Sequence, residues 1–162
     1  MYVRSTATAD LSALPPDIAV ALREYAETHQ LVITDDLPAW ITRSQNLPAS
    51  SRLGRMLGRR ANSADPDDEH QTLIVVHPTH LVIVISGAVR GVSVVSVPLV
   101  QASMSPGTRL GGADTADHGF SVLGFPGHEG QPGSLYLGLG PEPEGTDCAG
   151  TVRAAIAAAK NP

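Results

Sequence analysis

Between residues 72 and 104 the chain repeats one pattern: a short run rich in Val and Ile, then a Pro or a Gly. Thr72–His77 stops at Pro78, and His80–Ser86 stops at Gly87. Val92–Val97 lies between Gly91 and Pro98, and Leu99–Met104 continues past that proline. β-branched side chains favour a pleated strand, and Pro and Gly interrupt it. The connections His77-Pro78-Thr79-His80 and Ser86 to Gly91 are too short for parallel pairing, which needs about a dozen residues or more. They predict antiparallel hairpins. Further strands are expected over Ala39–Ser44, around the single Trp40, and over Gly119–Phe125 and Ser134–Leu139. Within 92–97 the serines are expected to face water and the valines a core.

Two helices flank these strands. Pro15-Pro16-Asp17 is a helix start, and Ile18, Leu22, Tyr25 and Ala26 recur at helical spacing, which predicts a helix over 15–29. Gly145-Thr146-Asp147 is read as the N-cap of a second helix over 147–160. Cys148, Val152, Ala155, Ile156 and Ala159 form its apolar stripe. Strands grouped between helices give an α+β, mostly β class. A chain of 162 residues buries roughly 70% of its unfolded surface and needs no staples. The division expected is an N-terminal extension, 1–37, with one helix, and a main domain, 38–162.

Composition excludes several function classes. A net charge of −5 argues against a nucleic-acid partner, which calls for a basic balance. One cysteine, Cys148, excludes an intrachain disulfide and a multi-thiolate zinc site. Its place on the helix stripe reads as an inert buried thiol. Met1–Ser5 lacks a basic leader, and no apolar run approaches the ~20 residues of a membrane helix, so a cytoplasmic protein is expected.

No phosphate loop exists, because Lys160 is the only lysine, and no Gly-x-Ser-x-Gly elbow is present. Gly138-Leu139-Gly140 runs into Pro-Glu-Pro, which breaks the helix a dinucleotide site requires. His77 and His80 flank a turn and have no Glu base on a helix. Asp114, Asp117, His118, His128 and Glu129 are not brought to them by any spacing. No catalytic residue, metal or cofactor is therefore expected. A small enzyme or ligand carrier would need two or more of His77, His80, His118 and His128 to converge.

Charge is unevenly distributed. Residues 38–64 hold Arg43, Arg52, Arg55, Arg59 and Arg60 and no acid, and Asp65, Asp67, Asp68 and Glu69 follow at once. Both stretches are expected in one solvated loop. Leu53, Met56 and Leu57 fall at i, i+3, i+4 with Arg52, Arg55, Arg59 and Arg60 around them. A basic amphipathic turn of this kind suits an anionic membrane surface, at roughly 1 kcal/mol per basic residue.

The Trp40 strand, the long loop after it and the hairpin Thr72–Ser86 resemble the bacterial pleckstrin-homology-like domain family. So do the break at Val97-Pro98-Leu99, the strand Gly133–Leu139 and the helix Val152–Lys160. The resemblance covers residues 38–160. It implies a seven-stranded antiparallel barrel of two near-orthogonal sheets, capped by the C-terminal helix. In lipid-binding members the loop after the first strand grips the headgroup, here the loop about 46–70 with Arg52, Arg55, Arg59 and Arg60. That loop holds no lysine and no Lys-x-n-Arg-x-Arg pattern. The leading expectation is a non-enzymatic binding module that works by protein contact or self-association. Anionic-lipid or phosphate-headgroup binding through the four arginines is the alternative.

Overall fold

The computed structural model describes residues 2–48, 56, 62–107, 118–127 and 131–161. Its strands are β1 (Tyr2–Thr8), β2 (Ala39–Asn46), β3 (Glu69–Val76), β4 (His80–Gly87), β5 (Gly91–Pro98), β6 (Ser103–Pro106), β7 (Phe120–Phe125) and β8 (Gly133–Leu137). A 3-10 turn, Leu11–Ala13, precedes helix α1 (Pro16–His29), and helix α2 (Pro143–Lys160) closes the chain. All described pairings are antiparallel, in a five-stranded sheet ordered β1-β2-β3-β4-β5 and a three-stranded sheet ordered β6-β7-β8. The class is α+β, mostly β, as expected.

The seven-stranded barrel is corrected to eight described strands in two antiparallel sheets, which do not close into a barrel. The break comes at Pro98, where a continuing strand was expected over Leu99–Met104. The Pro98 carbonyl accepts N–H bonds from Gln101 at 2.9 Å and Ala102 at 3.0 Å, which folds 99–102 into a turn. Leu99 and Ala102 are buried in that turn, so their apolar character serves the core and not a strand.

The extra strand is β1. Its sequence, Tyr-Val-Arg-Ser-Thr-Ala-Thr, has no aliphatic run, and β2 supplies its register from Tyr2↔Asn46 to Thr8↔Trp40. Residues 1–37 thus contribute an edge strand as well as a helix. α1 covers one face of the five-stranded sheet, packing Ile18 and Leu22 on Leu73, Val75, Val82 and Val84. On the opposite face Ile74, Val76, Leu81 and Ile83 meet Phe120 and Leu137 of the second sheet and Cys148, Val152 and Ile156 of α2. β3 and β4 are therefore buried on both faces, which is why Leu73–Val76 and Leu81–Val84 show no polar alternation.

Two local expectations shift, and β7 adds an irregularity. α2 starts at Pro143, with Glu142 as N-cap, and not at Gly145-Thr146-Asp147. Proline fits the first helical position because its missing N–H has no intrahelical partner there. Ser93 and Ser96 stand three apart in β5 and so lie on opposite faces; Ser96 Oγ meets the Tyr25 hydroxyl of α1 at 2.8 Å. In β7 a bulge at Gly124 (φ 115°) resets the alternation, so Phe120, Val122 and Phe125 all point inward. A Cβ at Gly124 would stand 2.8 Å from the Gln101 carbonyl oxygen, which excludes any larger residue. No helix among the described residues is long and apolar enough to cross a membrane.

Candidate functional site

Two regions stand out: a sheet edge with no second strand neighbour among the described residues, and a polar corner at one end of the same sheet. The five-stranded sheet ends on β1 and β5, and the two edges differ. The β1 edge is covered. Glu142 Oε2, from the N-cap of α2, accepts the Thr6 N–H at 3.0 Å, and the Gly140 N–H donates to Thr6 Oγ1 at 2.8 Å. Thr6 Oγ1 also meets Thr42 Oγ1 at 2.8 Å. That N–H holds the Glu142 carboxyl below its ordinary range.

The β5 edge has a strand neighbour on one side only among the described residues. Eight residues long, it carries no charge from Gly91 to Pro98. Val92 is 38% exposed and Val95 36%. Charged side chains and internal prolines are the usual protection of an edge, and both are missing from 91–97. β6 is protected by being four residues long and ending in Pro106.

The polar corner gathers residues distant in sequence. Arg90, on the β4–β5 hairpin, donates from Nε to Asp67 Oδ2 at 2.5 Å and from its other arm to Asp65 Oδ1. The Val89 N–H donates to Asp67 Oδ1 at 2.6 Å. Tyr2 of β1 donates its hydroxyl proton to Asp65 Oδ2, and Asn62 Nδ2 donates to the Tyr2 hydroxyl at 3.0 Å. His70 Nδ1 stands 3.4 Å from Asp65 Oδ2. A Cβ on Gly87 would overlap the Asp67 carboxylate, so a larger residue there would have to push Asp67 off its bonds to Arg90 and Val89.

Electrostatics follow from this geometry. The Arg90 guanidinium and the Val89 N–H hold the Asp67 carboxyl below its ordinary range. Burial pushes Asp65 upward, but bonds from Tyr2, the Asp67 N–H and Arg90 outweigh it and leave the group low. Beside the corner, Arg43 grips Glu69 with Nε at 2.5 Å and a second nitrogen at 2.6 Å. The acidic run is thus not a solvated block: Asp65 and Asp67 pair with Arg90, and Glu69 with Arg43. Asp67 is 1% exposed. Sequence reading passed over this corner, and its signal was Arg90, the single base between Arg60 and Arg109.

Arg52, Arg55, Arg59 and Arg60 lie outside the described residues, as do Asp114, Asp117, His128 and Glu129. Of the remaining histidines, His77 and His80 share one partner, with Nδ1 atoms 3.0 and 2.8 Å from Thr79 Oγ1 and ring centroids 6.1 Å apart. His118 is placed elsewhere, near enough to Glu142 to act on its carboxylate. Among the described residues no group of three His, Cys, Asp or Glu side chains lies together as a metal would require. Cys148 is buried, and burial with Asp147 nearby pushes its thiol up to about 12, so it is no nucleophile at neutral pH. Comparison of the chain with protein-family models, with curated proteins and with solved structures gave no match.

Proposed function

We propose that this chain is a non-enzymatic binding module that self-associates by pairing its β5 strand with β5 of a second copy. The observation that carries the reading is the unguarded β5 edge, with Val92 and Val95 exposed and no charge along it. Two copies related by a two-fold axis perpendicular to the sheet pair antiparallel, each filling the other's open row of N–H and C=O groups. Cross-strand Val pairs add about 0.2–1 kcal/mol each, which makes a reversible contact. Among the described residues the Asp65, Asp67 and Glu69 carboxylates are engaged by Arg90 and Arg43, and the one thiol is buried.

The finer fold reading is part of the same proposal: a pleckstrin-homology-like plan with β1 and α1 added in front. What supports it is the order of four antiparallel strands, β2–β5, a break, three antiparallel strands, β6–β8, and a helix.

Sedimentation equilibrium tests the contact. The wild type is expected to form a concentration-dependent dimer, and Val95→Lys to remain monomeric with its melting temperature kept. A wild type still monomeric at about 1 mM overturns it, since a contact of only ~4 kcal/mol would be half-populated there.

A second reading, anionic-lipid binding, rests on a separate observation at the sheet end. Val3, Leu47 and Val89 are 51%, 43% and 71% exposed, and Arg52, Arg55, Arg59 and Arg60 follow Leu47 in the sequence. The internal pairing of Asp65, Asp67 and Glu69 leaves less acid to oppose those arginines. Cosedimentation with anionic vesicles is then expected at low salt and lost in the quadruple Arg→Ala variant, with screening over ~10 Å at 0.1 M weakening it. No pelleting at low salt removes this reading.

A further inference from the structure

The polar corner does more than fill space: it ties three separate pieces of chain at one sheet end. Tyr2 brings the start of β1, Asp65 and Asp67 bring the stretch that leads into β3, and Arg90 brings the β4–β5 hairpin. Asn46 fastens the other root of the long connection, donating from Nδ2 to the Asn62 carbonyl at 2.8 Å and accepting the Asn62 N–H at 3.0 Å. His70 sits inside this arrangement. Its side chain is 15% exposed, and its buried Nδ1 has no hydrogen-bond partner although Asp65 Oδ2 is 3.4 Å away. The Tyr2 ring stands edge-on to it, centroids 5.6 Å apart.

We propose that this corner is a proton-operated latch, in which protonation of His70 releases β1 and the root of the 62–69 stretch from the sheet end. Asp65 is the shared element. Both of its oxygens already accept bonds, Oδ2 from Tyr2 and Oδ1 from Arg90 and the Asp67 N–H. A neutral imidazole coexists with that set. An imidazolium is a new cation in a corner that already holds Arg90 and, from β1, Arg4, and its Nδ1–H, 3.4 Å from Asp65 Oδ2, competes with the Tyr2 hydroxyl for that oxygen. The remaining charged groups around it are Asp67, engaged by Arg90, and Asp17 and Glu69 across the adjoining groove.

The direction of titration agrees with the geometry. Burial, then Arg90 and Arg4, push His70 below its ordinary 6.5, against the pull of Asp65 and Asp67. A histidine lowered in the closed state binds more protons once released, so the closed state is favoured above pH 6.5 and weakens as pH falls below it. Asp65 and Asp67, also lowered, act in the same direction at more acid pH. The latch is independent of either contact surface proposed above.

The test is the NMR titration of the His70 ring together with hydrogen exchange of residues 2–8 and 62–69, referred to 120–125 as an internal standard. On going from pH 7.5 to 5, protection of the first two segments is expected to fall about tenfold for each unit by which His70 titrates below 6.5. In His70→Gln that fall is expected to vanish. A His70 that titrates at 6.5 or above overturns the latch, and so does an equal fall in His70→Gln, which would assign the effect to the carboxylates. Should His70→Gln fail to fold, the wild-type ring titration alone decides.

Discussion

Ile18→Ala is expected to lower the free energy of unfolding by about 2–5 kcal/mol in a urea titration. Ile18 is 0% exposed and packs on Leu73, Val75, Val82 and Val84, so truncation opens a cavity between α1 and the middle strands of the five-stranded sheet. The surroundings cannot collapse into the gap, because β3 and β4 are held in register on both sides. A helix that merely preceded the domain would tolerate the same change within about 0.5 kcal/mol, as surface positions do. Val20, on the solvent side of α1 and 48% exposed, supplies that control: Val20→Ala is expected to leave the midpoint in place. An Ile18→Ala variant as stable as Val20→Ala would place α1 off the sheet.

Phe120→Ala is expected to cost about 3–5 kcal/mol, read the same way. Phe120 is the largest of the fully buried side chains and lies in β7 opposite Leu137, in the cluster that joins both sheets to α2. Phe125 already points into the same core, and Tyr136, next to inward-facing Leu137 in β8, lies on the other face of its strand. Leu123, three residues on and 45% exposed, faces away, and Leu123→Ala is expected to be near neutral. Equal costs at 120 and 123 would contradict the register of β7 and the bulge at Gly124.

The same two residues show why some elements were legible in the sequence and others not. β7 alternates because its sheet has one covered face, and Phe120 and Val122 declared their side directly. α2 declared its stripe too: Cys148, Val152 and Ile156 are buried as the spacing required, and only its start moved, from Gly145-Thr146-Asp147 to Pro143. The unbroken runs Leu73–Val76 and Leu81–Val84 also carried a message. A strand without polar alternation has both faces covered, and the helix at 15–29 was available to cover one of them. Reading that run only as a strand left α1 outside the domain.

β1 and the polar corner lay beyond local reading for a different reason. β1 has Arg4 and three Ser/Thr side chains in seven residues, and it is a strand because β2 offers an unpaired edge, not because of its own propensity. Asp65 and Asp67 were expected in a solvated loop, and only the return of the β4–β5 hairpin beside β3 brings Arg90 to them, 2.5 Å from Asp67.

By itself, the sequence determined what depends on neighbours along the chain: the hairpins at Pro78 and Gly87, the two amphipathic helices, the inert stripe position of Cys148 and the α+β class. Periodicity, turn residues and helix spacing act over a few residues and can be read there. Tertiary structure decided, among the described residues, the strand count, the two sheets, the face that α1 covers, the pairing of Asp65, Asp67 and Glu69 with arginines, and the β5 edge with a strand neighbour on one side only. Each of these is a pairing between segments far apart in sequence, where the stabilising partner is a surface made elsewhere in the fold.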